Sequence, residues 1–469
     1  MTPTATTTET ATARRAPAAP GALPLLGHGP ALLRRPLDFL CSLPATGPVV
    51  RIRLGGLPAY VINDADLVRS VLVGEAGRFD QGVMIEKVRP LLGSGVGTAD
   101  GAEHRRLRRL MQPAFHKARI ARYAATMTAV AAERSAAWQP GRTLRIDEEM
   151  NELALTTVAR ALFSSDLGAD AITEVQRSLP LILDEIPRRA MLPEALLRLP
   201  TPANRRFDRA VRRLRSATRH VVDAARADGT DHGDLLSVLL LAEDEATGAR
   251  LTDDQVHDQL VNMLVAGTET TGATLAWTFH ELARNPAVED RLHQETDKVL
   301  SGRPAVFEDI PRLPYTLRVV QEALRLYAPW IILRLSPGEV LLGDVCIPAG
   351  ATVLFSPYVL HHQPELYPDP LAFDPDRWLP ERAAKLPKCA SIPFGAGSRQ
   401  CPGNVFALTQ AVIQVATIAA RWRLHPAEGG PRVRELARGA VVHPTALPMR
   451  CLPREHPYAR EGDRNPITA

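Results

Sequence analysis

The chain has 469 residues, 45% of them hydrophobic and 23% charged, and its 56 Lys plus Arg against 52 Asp plus Glu give a formal net charge of +4. This is the composition of a globular protein with material for a large core, and the near balance of charge argues against a dedicated nucleic-acid binder. Five cysteines (Cys41, Cys346, Cys389, Cys401 and Cys451) are scattered with no Cys-x-x-Cys pair, which excludes a disulfide framework or zinc ribbon and points to free thiols in a reducing, cytoplasmic compartment.

Residues 1 to about 20 are rich in Thr, Ala and Pro and are expected to form a disordered tail. Arg14-Arg15 precedes an apolar stretch in the manner of an export signal, but Pro17, Pro20 and Pro24 interrupt it and no cleavage site follows. Val49 to Leu54 alternates apolar and basic residues, Ala59 to Ile62 is a second apolar run, and Gly55-Gly56 between them marks a hairpin. Helical patterns dominate from Asp64 to about Leu300, and the basic runs His104 to Arg109 and Arg205 to Arg215 read as solvated helix faces. Strand-like runs return at Glu339 to Ile347 and between Val441 and Cys451. That distribution predicts a mainly α protein with small β-sheets. No stretch reaches the ~18 consecutive apolar residues of a membrane span. With no repeat, no Gly/Ser linker and little chain after Cys401, one catalytic domain over residues 21–455 is expected, followed by a tail over 456–469.

Several motifs carry chemistry. Leu260 to Ala283 is one helical stretch, apolar except for the knot Ala266-Gly267-Thr268-Glu269-Thr270-Thr271. Glycine inside a helix costs up to ~1 kcal/mol relative to alanine, so its presence implies a gain. Ala266 and Gly267 leave room for a planar cofactor or small ligand, and Glu269 and Thr270 place an acid and a hydroxyl beside it. The plain structural alternative is threonines bonded back to their own helix. Glu322 and Arg325 share a helix face by i,i+3 spacing, within a pattern from Tyr315 to Tyr327 that Pro329 ends. His104 and Arg108, four apart, share another. His361 and His362, being adjacent, point apart and argue against a metal pair.

Phe394-Gly395-Ala396-Gly397-Ser398-Arg399-Gln400-Cys401-Pro402-Gly403 surrounds one cysteine with three glycines, which reach backbone angles closed to other residues and let a flat ligand lie close. Asn404 to Arg421 reads as an apolar helix, so Cys401 stands just before a helix N-terminus, a position that lowers a thiol's pKa. An electron-rich thiolate suits haem iron, where it favours O–O cleavage; an inert cysteine in a glycine-rich turn is the alternative. Pro402 has no N–H to donate to the sulfur, which should make the iron harder to reduce.

The loop from Phe394 to Gly403 closely resembles the haem-thiolate loop of the cytochrome P450 family, and the other motifs follow in that family's order over about residues 20 to 455. The resemblance implies the cytochrome P450 fold and a thiolate-ligated haem b (iron protoporphyrin IX). Cys401 would be the proximal iron ligand, with Gly267 and Phe394 beside the cofactor. It makes the helix of Glu269 and Thr270 the distal one, where acid and alcohol relay protons. It assigns His104, Arg108, Arg334 and Arg399 to the haem propionates, which need cations or strong donors. It brings Arg377, in Phe373-Asp374-Pro375-Asp376-Arg377-Trp378, to Glu322 and Arg325 as a buried network on the thiolate side.

The implied activity is a monooxygenase that inserts oxygen from O2 into a C–H bond. Its electrons would come from a ferredoxin and ferredoxin reductase, docking on a basic proximal side where Arg105, Arg109 and Lys388 are candidates. A peroxide-driven peroxygenase and a non-enzymatic haem-thiolate sensor are alternatives, and the acid–alcohol pair favours the O2 route over both. Segments that line the pocket in related enzymes read here as Met84, Ile85, Val88, Leu91, Leu92, Met263, Ala266, Trp330, Ile331, Ile332 and Thr445. Nearly all are apolar, which suits a hydrophobic substrate. The chain is most similar to bacterial members of the family that oxidise sesquiterpene hydrocarbons in secondary metabolism, so a compact terpene is expected. Trp330 ahead of Arg334, Ser356-Pro357-Tyr358 and Phe373 to Arg382 carry that similarity.

Overall fold

The computed structural model describes residues 14–454, apart from 83–84, 87–88, 90–91, 164–168, 192–193 and 245–246. Its longer helices are α1 (Gly101–Met111), α2 (Lys117–Ala136), α3 (Ile146–Leu162), α4 (Ala169–Met191), α5 (Pro202–Asp228), α6 (Asp253–Arg284), α7 (Pro286–Leu300), α8 (Pro314–Leu326) and α9 (Asn404–Arg421). The strands are β1 (Val49–Leu54), β2 (Leu57–Ile62), β3 (Thr143–Arg145), β4 (Ile332–Ser336), β5 (Val340–Leu342), β6 (Val345–Ile347), β7 (Ala351–Phe355), β8 (Trp422–Pro426), β9 (Glu435–Arg438), β10 (Val441–Pro444) and β11 (Pro448–Pro453). They form a four-stranded sheet in the order β1-β2-β7-β4, a three-stranded sheet β3-β11-β8, and the hairpins β5-β6 and β9-β10. The protein is therefore mainly α with small sheets, as its pattern predicts.

The expected β1–β2 hairpin is present, with Val50 opposite Val61 and Gly55 at φ +63 in the turn. Residues 14–20 depart from the disordered tail that composition predicts. Ala18 bridges to Arg51 of β1, Arg14 bridges to Val345 of β6, and Ala16 and Ala19 are buried. Backbone pairing along a sheet edge and two small buried side chains hold a segment whose polarity alone would leave it free.

The long α6 organises the helical part. It starts at a capping box, in which the Thr252 hydroxyl accepts from the Gln255 N–H while the Gln255 side chain accepts from the Thr252 N–H. That satisfies two of the orphan donors at its start. Its partner α3 lies unusually close at two glycines. A Cβ on Gly267 would sit 2.9 Å from Val158 Cγ2, and one on Gly272 would sit 2.2 Å from Asn151 Oδ1 and 2.8 Å from Asn151 Cα. On the other side α9 runs through the core, with every residue from Thr409 to Ala420 buried. Among the described residues no helix is long and apolar enough to cross a membrane.

Candidate active site

Cys401 closes its own loop: its N–H donates to the Phe394 carbonyl at 2.9 Å. Gly395 and Gly397 take φ +67 and +70, and a Cβ on Gly397 would lie 2.0 Å from the Leu72 carbonyl oxygen. Only glycine meets both demands at Gly397. The sulfur lies just ahead of α9, whose N-cap is Gly403. The expected drop in thiol pKa does not follow from the protein's own groups. Burial pushes the Cys401 thiol up, and the Gly403 N–H and the Arg108 charge oppose it only in part. Desolvation of a thiolate outweighs one N–H and one nearby guanidinium.

The four residues assigned to propionates do converge. Arg399 donates to the Ala99 carbonyl at 3.0 Å and pairs with Asp100. Arg334 reaches Gln81 Oε1 at 3.3 Å, and Arg108 donates to the Gln400 carbonyl. Their electrostatics show an unmet need for negative charge. Burial pushes Arg334 down to about 10, with Arg399 adding to the shift. His104 is pushed down to about 4, first by burial and then by Arg399 and Arg108. Burial also lowers Arg399 and Arg108. Asp100 offsets part of this, but buried like charges packed together are costly unless an anionic group joins them. The residues fit a dianionic cofactor edge.

Glu322 is fully buried and collects five donors. Arg325 Nη2 and Nε reach its two oxygens at 2.9 Å each, and Arg377 Nε reaches one at 3.1 Å. The Asp374 N–H adds 3.1 Å and Trp378 Nε1 adds 3.0 Å. The remaining guanidinium donors go to carbonyls, among them His361, Pro370 and Ala372 for Arg325 and Asp369 for Arg377. Such complete pairing is what lets a buried ion cluster persist. It ties α8 to the 368–378 segment. His361, which pattern reading set aside, extends it: Nδ1 donates to the Arg325 carbonyl at 3.1 Å, and Nε2 accepts from the Ile392 N–H at 3.0 Å. The network thereby grips the strand of chain that leads into the cysteine loop. His362 Nδ1 donates to the Tyr358 carbonyl at 2.7 Å instead.

On α6 the polar knot divides by face. Gly267 packs against Val158 of α3, so it does not open space for a cofactor. Its role is close helix approach. Ala266 is exposed in the middle of a helix whose residues are mostly buried, and Thr270, one turn on, shares its face. The Thr270 hydroxyl donates to the Ala266 carbonyl at 2.7 Å, the local bond that the plain structural alternative expects. Glu269 points to the β9–β10 hairpin, where His443 Nε2 is 3.0 Å from its Oε1.

Of the pocket candidates, Met84, Val88 and Leu91 lie outside the described residues. Ile85, Leu92, Met263, Trp330, Ile331, Ile332 and Thr445 are all partly buried. Leu92 and Met263 pack against the main core, and Trp330 and Ile331 against the cluster that holds Trp277 and Val442. Trp330 Nε1 donates to the Gly439 carbonyl at 3.1 Å, and the Thr445 hydroxyl accepts from the Arg434 N–H at 2.9 Å. Sequence reasoning missed Gln81, Asp100, His361, Gly439 and His443. Asp100, directly before a helix start, could have been noticed; the rest reach the site only through tertiary contact.

The cytochrome P450 family model matches residues 17–451. Cyclooctat-9-en-7-ol 5-monooxygenase of Streptomyces melanosporofaciens is 47% identical over 93% of this chain and 95% of its own length. Cyclooctatin synthase from the same organism is 45% identical with the same coverage. Pentalenene oxygenase of Streptomyces avermitilis is 40% identical over 92% of this chain and 96% of its own. Among solved structures, the crystal structure of the cytochrome P450DA heme domain superposes with a TM-score of 0.84 at 25% identity, covering 94% of this chain and 98% of that one. A match across nearly the whole chain, at such identity to named monooxygenases and with a cysteine loop of this form, leaves one conclusion: the chain belongs to the cytochrome P450 family and is a P450 monooxygenase.

Proposed function

We propose that this monooxygenase oxidises a cyclic terpene of secondary metabolism, converting R–H, O2, two electrons and two protons into R–OH and water. The observation that carries the terpene reading is the agreement of three relatives at 40% identity or more with a set of pocket candidates that holds no charged side chain. One relative's name gives an unsaturated alcohol as substrate. The substrate here is accordingly an apolar ring skeleton, unoxidised or carrying a single hydroxyl.

Bound haem b supplies the iron at which dioxygen is activated. Cys401 would hold that iron through its sulfur, with the nearby Arg108 charge favouring the thiolate. His104, Arg108, Arg334 and Arg399 would take the propionates, giving up contacts to Gln81, Asp100 and Gln400 and relieving their mutual repulsion. Thr270, on the face of Ala266, would hold a proton donor over the cofactor, and Glu269 would resupply it. The hydroxyl's lone pairs remain free while its hydrogen lies on the Ala266 carbonyl, so it can accept a hydrogen bond from that donor without leaving its rotamer. Trp330, Ile331 and Ile332 would shape the pocket.

Ferredoxin and its reductase are the proposed electron donors, docking where Arg105 and Lys388 are exposed and Arg109 pairs with the buried Asp244. Five unpaired cysteines fit work in the cytoplasm. The test is a titration of the oxidised haem-loaded protein with a panel of cyclic terpenes and terpene alcohols. Members of the right class should shift the Soret band and be hydroxylated once the electron donors are supplied. A protein that answers only charged or strongly polar ligands contradicts the reading.

A further inference from the structure

Glu269 is held, and by a residue far away in the chain. Its carboxylate leaves the Ala266–Thr270 face of α6 and meets the β9–β10 hairpin, where His443 Nε2 donates to Oε1 at 3.0 Å. Gly439, in the hairpin's turn at φ +55, closes over the same oxygen: a Cβ there would stand 1.8 Å from it. The turn must therefore be glycine for two reasons, its left-handed backbone and the carboxylate beneath it. The hairpin is anchored in turn from several sides. Trp277 Nε1, two helical turns beyond Glu269, donates to the Val442 carbonyl at 2.9 Å, and Trp330 Nε1 donates to the Gly439 carbonyl at 3.1 Å. Arg438 pairs with Asp184 of α4, and Thr445 fastens the hairpin's exit to Arg434. Two of these anchors, Trp330 and Thr445, are substrate-pocket candidates.

We propose that His443 is the positioning residue for Glu269, so that the hairpin which borders the substrate pocket also sets where the acid stands relative to Thr270. The proposal rests on the reading of Glu269 and Thr270 as the proton relay and adds to it. The geometry separates this pair from an ordinary structural ion pair. The side chains of Glu269 and His443 each keep 14% of their exposure, and among the described residues the carboxylate has a single donor. Glu322 has none of its surface exposed and five donors. A carboxylate held by one donor and still partly accessible to solvent can exchange it more readily than one fully buried under five. His443 thus sets where the acid stands while leaving it able to exchange its one donor.

The experiment uses the full haem-loaded chain, with ferredoxin, its reductase and a terpene that binds. The variants are His443→Leu, His443→Gln and Glu269→Gln, each first matched to wild type in haem content and Soret position. Product formed per NAD(P)H consumed should fall several-fold in His443→Leu, about as far as in Glu269→Gln. It should recover in His443→Gln, whose amide N–H stands where Nε2 does. A second readout needs no turnover. The infrared carboxylate band of Glu269, identified by its loss in Glu269→Gln, should shift in His443→Leu and return in His443→Gln. Should the leucine variant fail to hold haem, His443→Asn, whose amide is too short to reach Oε1, takes its place. Wild-type coupling and an unmoved band in the variant lacking the donor, with Glu269→Gln uncoupled, would overturn the proposal and leave the relay standing. A silent Glu269→Gln would overturn the relay itself.

Discussion

Thr270 shows how little a side-chain hydrogen bond alone says about function. Its hydroxyl bonds back to the Ala266 carbonyl, as Thr268, Thr274 and Thr278 bond back to Leu264, Thr270 and Thr274. What sets it apart is its place on the exposed Ala266 face. Thr270→Val keeps volume and branching, so haem and substrate binding and NAD(P)H consumption should persist. Product per electron pair should fall by ~10²-fold or less, since solvent can stand in for a lost general acid, with peroxide or water formed instead. Hydrogen peroxide, which brings its own oxygen and protons, should drive the variant with less loss. Unchanged coupling would reduce Thr270 to a packing residue. Glu322 was legible because i,i+3 spacing and a distant Arg377 motif fall into a known order. Its truncation should be severe: Glu322→Ala strands Arg325 and Arg377 without their counter-charge, a loss of about 3–5 kcal/mol for a broken buried pair. Little haem-loaded protein should be recovered, and a normal yield with full haem content would contradict the buried-network account. His443 carried no such signal, because it meets Glu269 across 174 positions.

At the scale of elements, hydrophobic period fixed what it touched and missed what polar groups do. Asn404–Arg421 matches its reading residue for residue because an apolar run starts right after Gly403. By contrast, α6 begins at Asp253, well before Leu260, because its first turns are polar and its start is set by the Thr252–Gln255 capping box. Gly267 was read as cofactor space when it is helix-contact space, a distinction that needs the partner helix. The α3–α6 contact gives a graded prediction. Gly272→Ala drives a methyl against Asn151 backbone and should cost about 1–3 kcal/mol, despite the better helix propensity of alanine. Gly267→Ala meets only the end of the Val158 side chain and should cost less. Melting temperatures of the two haem-loaded variants check the order, and equal or raised values would contradict the close approach.

For the whole molecule, three buried histidines and the partly buried His362, all outside the cationic cluster, make stability depend on pH. Burial pushes His280 and His362 down to about 4 and His293 and His361 to about 3. A folded pKa below the unfolded one means that the folded state binds fewer protons, so stability is full above about 6.5 and is lost as pH falls through the window toward 3–4. Glu289 acts the other way: burial raises it to about 7, so its contribution is lost as pH rises from about 4.5 to 7. Near pH 5 the balance is a net uptake of about three protons on unfolding. The melting temperature should therefore drop between pH 7 and pH 5, and a flat or rising profile would contradict these burials. The mainly α architecture with small sheets was legible from where helical and strand patterns fall. The sheet order was not, since the parallel pair of β2 and β7 joins Tyr60 to Val353 and local pattern holds no trace of such a partner. The ordering of residues 14–20 by pairing with β1 and β6 was hidden for the same reason.

The central claim is that Cys401 carries the iron, and the spectrum of the reduced, carbon-monoxide-bound protein tests it most directly. The wild type should absorb near ~450 nm, the behaviour of thiolate-ligated haem, and Cys401→Ser should lose that band even where it still takes up haem. A serine variant that keeps the band, or a wild type that never shows it, would contradict the account.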